Sequence, residues 1–154
     1  MIALMEKEVS MQFKKILIAV DDSALSAHAA DVGLDLAAQL GAEVALLTAV
    51  DPAGAPSSGE SGISASEWSS FLKRDAKALL HAFASRRTVA PPPLLFVEEG
   101  KPAARVVEAA RNWRADLIVM GSNSRNPVAD ALLGGVAKGV LHHAPCPLML
   151  IRAE

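Results

Sequence analysis

Apolar positions along this chain fall into two kinds of run that take turns. Ile16-Leu17-Ile18-Ala19-Val20, after Lys14-Lys15, is continuously apolar over a strand's length and stops at Asp21-Asp22-Ser23. Unbroken apolarity, rather than alternation, marks a strand covered on both faces, as in a parallel sheet. Ser23 then offers a cap to a helix whose apolar stripe is Leu25, Ala29, Val32, Leu36 and Leu40, with Gly41 placed to end it. Glu43 to Val50 is a second strand. A segment rich in Pro, Gly, Ser and Ala at 51–66 has almost nothing to bury and reads as a mobile excursion. Trp68, Leu72, Ala76, Leu79 and Phe83 form the next helical stripe, with basic residues mostly on its other faces. Pro91-Pro92-Pro93 stops that helix before a third strand, Leu94 to Val97. Pro102 sits where a first helical turn tolerates proline, and Val106, Ala110 and Trp113 face inward behind it. Asp116 to Met120 is a fourth strand, Ala129 to His143 a fourth helix, and Pro147 to Arg152 a fifth strand. The order βαβαβαβαβ calls for one parallel sheet with right-handed crossovers and helices on both faces.

Composition narrows this picture. At 154 residues the chain makes one domain with a real core. Hydrophobic residues are 51% but aromatics only 4%, so Ala, Val, Leu and Ile fill the interior and helices can lie close on the sheet. A net charge of −2 supplies no basic field for nucleic acid. Cys146 is the single cysteine, which rules out an internal disulfide and fits a reducing, cytoplasmic setting. No run reaches the roughly 18 apolar residues of a spanning helix. Residues 1–13 place Glu6, Lys7 and Glu8 where an export signal is apolar, so they read as a flexible extension to a domain at 14–154.

The chemistry concentrates in the last third. The fourth strand runs into Gly121-Ser122-Asn123-Ser124, and Gly134-Gly135-Val136 follows ten residues later at a helix start. Glycines so placed let backbone N–H groups approach a phosphate, and a helix N-terminus adds oriented donors. On this stretch alone a tight turn explains the glycines equally well. In a doubly wound sheet, ligands bind at the carboxyl ends of strands where the strand order reverses. The first and fourth strands end in Asp21-Asp22-Ser23 and in the Gly121 loop, and the two loops share a crevice if those strands are neighbours. Asp21 and Asp22 could serve Mg²⁺, though adjacent side chains usually point apart. His142, His143 and Cys146 are poorly placed to converge on a metal, because adjacent helical residues diverge and Pro145 intervenes. No Walker lysine motif, G-x-G-x-x-G or G-x-S-x-G is present, nor a nucleophile with an attendant base.

With these pieces assembled, the chain resembles the universal stress protein (UspA-like) family from Lys14 to Arg152. The resemblance is carried by ILIAVDDS, GKPAARVVEAA, ADLIVMGSNSR and LLGGVAKGVLHHAPCPLMLI. It implies a Rossmann-like α/β fold of the adenine nucleotide alpha hydrolase type, a five-stranded parallel sheet of order 3-2-1-4-5. It also implies a cytoplasmic stress-response protein that holds ATP or AMP, with Mg²⁺ accompanying ATP, and that forms a homodimer through Pro147–Arg152; the lack of a nucleophile with a base argues separately against an enzyme, weak ATPase activity aside. The nucleotide-binding branch of the family carries G-x-x-G-(x9)-G-[ST]. Gly121 and Gly134 match, whereas Ser124 replaces the second glycine and Gly135 the hydroxyl residue. By the same resemblance Ala19, Asp21, Val50 and Met120 lie at the nucleoside end, and Gly121, Ser124, Gly134, Gly135 and Val136 serve ribose and phosphate. The alternative is a dimeric interaction module that has lost its nucleotide.

Overall fold

A computed structural model describes residues 12–54, 62–122 and 133–153. Five parallel strands form one sheet: β1 (Lys15–Ala19), β2 (Glu43–Val50), β3 (Leu94–Glu99), β4 (Leu117–Gly121) and β5 (Leu148–Ile151). Their spatial order is β3-β2-β1-β4-β5, the 3-2-1-4-5 order expected. Four helices connect them: α1 (Ala24–Leu40), α2 (Ala65–Ala84), α3 (Pro102–Trp113) and α4 (Gly135–His143). Side-chain alternation along β1 sends Ile16 and Ile18 to the face covered by α1 and α2. Leu17 and Ala19 go to the face covered by α3 and α4. Both faces of the central strands are therefore dry, which is why these strands read as continuous apolar runs.

The helix ends follow the local chemistry. Ser23 accepts from the Ser26 N–H to start α1, and Gly41 closes it at φ 64°. Ser64 and Glu67 form a reciprocal capping box. That box starts α2 at Ala65, before the predicted excursion would have ended; residues 55–61 lie outside the described residues. Residues 1–11 of the expected extension also lie outside them, while Phe13 packs against the α1/α2-side core. The fourth helix is shorter than its periodicity predicts. Leu133 and Gly134 are not helical, and residues 129–132 are not among the described residues. Gly134 adopts φ −60° and ψ 158° as the N-cap and donates its N–H to the Ser122 carbonyl (3.0 Å), so the helical ladder cannot extend back through it. Among the described residues no helix is long and apolar enough to cross a membrane.

Candidate functional site

The strand order reverses between β1 and β4, and their carboxyl ends lie side by side. Ala19 pairs with Met120 across that seam, and both are buried. The chain leaves β1 through Val20, whose N–H donates to the Leu47 carbonyl (2.9 Å), and reaches Asp21 at the surface. Asp21 is fixed within its own loop. Its Oδ1 accepts from the Ser23 N–H (2.9 Å) and from Ser26 Oγ (2.8 Å), while its N–H donates to Ser26 Oγ (2.8 Å). Ser26 is a buried residue of α1, so the turn is held from below by a side chain anchored in the helix. Sequence reasoning missed Ser26; the serine five positions after Asp21 was the available signal.

On the other side of the seam β4 ends at Gly121, and Ser122 bridges two elements. Its N–H donates to the Ile151 carbonyl of β5 (2.9 Å), and its carbonyl accepts from Gly134 N–H (3.0 Å). This relay draws the start of α4 onto the carboxyl edge of β4. Gly134 caps α4 without a side-chain hydrogen bond, so among the described residues the first-turn N–H groups at this end have no capping side chain. Gly135 and Val136 are exposed there, and a Cβ at Gly135 would meet nothing within 4 Å. The helix macrodipole adds partial positive charge at the same place.

The structure thus brings Ala19, Asp21, Met120, Gly121, Gly134, Gly135 and Val136 to one edge. Val50 ends β2, one strand further out, where its carbonyl accepts from the Gly100 N–H (2.9 Å). Ser124 lies outside the described residues. Asp21 and Asp22 are both exposed, rather than one turned inward and one outward as adjacency alone would favour. The turn explains this, since Oδ1 of Asp21 is drawn to the start of α1 instead of the core. Among the described residues no three His, Cys, Asp or Glu side chains gather as a metal site requires. His142 and His143 are exposed at the end of α4 with ring centroids 6.5 Å apart. Cys146 is half-buried, and burial, then Asp116, push its thiol above the ordinary range, away from the reactive thiolate.

Comparison with known proteins agrees with this architecture. The universal stress protein family profile matches residues 12–152. A universal stress protein of Methanocaldococcus jannaschii is 32% identical over 147 residues, covering 91% of this chain and 82% of its own. Among solved structures, universal stress protein UspA from Lactobacillus plantarum has a TM-score of 0.78 at 24% identity, covering 92% of this chain and 99% of its own. A universal stress protein in complex with cAMP has a TM-score of 0.63 at 23% identity, covering 92% and 98%. The chain belongs to the universal stress protein family.

Proposed function

We propose that this universal stress protein holds an adenine nucleotide, ATP or AMP, as a regulatory ligand across the β1–β4 seam, working in the cytoplasm without appreciable turnover. One observation carries the reading: the relay from Ile151 through Ser122 to Gly134 sets the uncapped start of α4 beside the strand end that pairs with Ala19. Helix amides presented this way suit a phosphate, and the fixed Asp21 turn stands across the seam for the nucleoside. A fold neighbour in complex with cAMP supports the same class of ligand. Mg²⁺ would arrive with ATP, held mainly by phosphate oxygens and water. Phosphoryl transfer depends on positioned charge and an oriented nucleophile; of the described site residues only Asp21 carries a basic group, and its Oδ1 is engaged by Ser23 and Ser26.

A dimeric module without nucleotide is the second reading, favoured by Ser124 and Gly135 where the motif has glycine and a hydroxyl residue. Calorimetry with ATP and AMP, beside the adenine absorbance of the purified protein, separates the two. We expect binding by wild type and its loss in Gly134→Val, whose backbone conformation valine adopts without strain. Silence from wild type with both nucleotides favours the second reading. Wild-type affinity in Gly134→Val moves the phosphate elsewhere.

A further inference from the structure

We infer that Ser26 is a positioning residue of the nucleotide site: it sets the Asp21 carboxylate that meets the nucleoside without touching the ligand itself, an inference that rests on the nucleotide reading above. The two long helices start differently, and the difference falls on Asp21. At α2 the capping box is closed from inside the helix. Ser64 Oγ accepts from the Glu67 N–H (3.2 Å), and the Glu67 carboxylate reaches back to the Ser64 N–H (2.8 Å). At α1 the first half is the same, with Ser23 Oγ accepting from the Ser26 N–H (3.2 Å). The second half is not. Ser26 stands where α2 has its glutamate, and its hydroxyl turns back to Asp21, while the Ser23 N–H goes to Oδ1 of Asp21 (2.9 Å). The acid that completes the α1 cap therefore stands outside the helix, on the stretch that leaves β1 at the seam.

Ser26 locks that acid in place. Its Oγ donates to Asp21 Oδ1 and accepts from the Asp21 N–H, both at 2.8 Å, so the side chain and the backbone of one residue close on a single hydroxyl. This pair of bonds removes backbone and rotamer freedom that would let the carboxylate swing. Ser26 is 5% exposed, whereas Asp21 is at the surface, so the anchor lies beneath the helix start and the carboxylate lies at the seam. Starting the helix does not require this second pair, because Ser23 already holds the first turn. A carboxylate accepts and does not donate, so the nucleoside group that it meets is a donor, a ribose hydroxyl or the amine of the base. An acceptor oriented in advance loses less freedom on binding, which is how a residue that touches no ligand strengthens its affinity.

The test is calorimetry with AMP and ATP on the full chain, using wild type, Ser26→Ala, Ser26→Thr, Asp21→Ala and the double variant of Asp21→Ala with Ser26→Ala, beside urea unfolding of each. Ser26→Ala should bind both nucleotides about tenfold more weakly, the loss expected when a hydrogen bond to a charged group is removed. Ser26→Thr keeps the hydroxyl and should recover most of that affinity. In the Asp21→Ala background the same Ser26→Ala change should cost less than about twofold, because the carboxylate that it sets is gone. A hydroxyl that served folding alone would lower the urea midpoint in both backgrounds and leave the affinity of the folded protein unchanged. Wild-type AMP affinity in Ser26→Ala or in Asp21→Ala overturns the inference, as does a Ser26→Ala loss of equal size in the two backgrounds. Wild type that binds neither nucleotide overturns the nucleotide reading itself, and the role of Ser26 with it.

Discussion

A Cβ added at Gly121 would lie 2.9 Å from Leu25 Cγ and 3.0 Å from its Cδ2, whereas one added at Gly135 would meet nothing within 4 Å. The two motif positions therefore have different physical meanings. Gly121 is small because the first turn of α1 presses on the end of β4, a demand of packing that holds whether or not a phosphate is present. Spacing and the family motif suggested a phosphate for both; they could not show the Leu25 contact, which exists only once α1 is folded across β4. At Gly135 no described neighbour forbids a side chain, so the hydroxyl of the motif can be introduced there. Gly135→Ser should leave the melting temperature nearly unchanged and tighten AMP or ATP binding by roughly fivefold, the worth of one hydrogen bond of about 1 kcal/mol. Titration calorimetry on the two proteins checks this, and equal affinities would mean that the hydroxyl at this position does not reach the ligand.

The elements were legible where one stripe of side chains decides them. Strand β2 was read at its observed bounds because Glu43 and Gly41 delimit an apolar run, and Ser23 and Gly41 bracket α1 by cap chemistry. The start of α4 was misread because an apolar stripe carries through Leu133, while the cap is set by a hydrogen bond to Ser122, which lies twelve residues away. How α4 is seated was also invisible in the sequence. A Cβ at Gly139 would come 2.7 Å from the Ala103 Cβ of α3, a backbone-fixed atom with no rotamer to yield. Gly139→Ala should push the helices apart, the overpacking cost of about 1–3 kcal/mol exceeding the roughly 1 kcal/mol gained in helix propensity. The α4 amides would move with the helix, so nucleotide affinity should fall and Ala103→Gly should recover it. A second element contact joins α1 to the chain after α2. Arg86 Nε and Nη2 donate to Asp31 Oδ1 and Oδ2 at 2.7 and 2.8 Å, and Arg87 Nε donates to Asp35 at 2.9 Å. The hydrogen bonds from Arg86, then its charge and those of Arg87 and His28, hold the Asp31 carboxyl below its usual range against a smaller opposing effect of burial. A carboxyl lowered in the fold stabilises above its unfolded pKa, and that contribution fades as pH falls through the folded value. Arg86→Gln should therefore lower the urea midpoint at pH 7 modestly, since the pair is partly exposed, and the difference from wild type should vanish in acid. A difference that persists under acid conditions would assign the effect to lost packing of the arginine stem.

The sheet has β3 and β5 as its outer strands, and among the described residues the two differ in how they are protected. The β3 edge carries Glu98 and Glu99, the latter bridged to Lys73, charges of the kind that discourage strand addition. The β5 edge is Leu148-Met149-Leu150-Ile151, with no charge inside it. The carbonyls of Pro147 and Ile151 accept from Ile118 and Ser122, so they point into the sheet. By alternation the backbone groups of Leu148 and Leu150 point outward, available to another strand. A second copy of the same strand, running antiparallel across a twofold axis, satisfies them and buries the leucines on both sides. The family resemblance implied pairing through Pro147–Arg152, and the strand order puts that segment at a margin of the sheet. Its lack of protection relative to β3 became clear only when the strand order put both at the margins. We therefore expect a homodimer joined at β5. Leu150→Pro removes one outward N–H while leaving the inward ladder intact, a substitution that edge strands tolerate. Sedimentation should show a dimer for wild type at micromolar concentration and a monomer of unchanged circular dichroism for Leu150→Pro. A wild-type monomer would leave the β5 edge uncovered, and a Leu150→Pro dimer would place the interface on another surface.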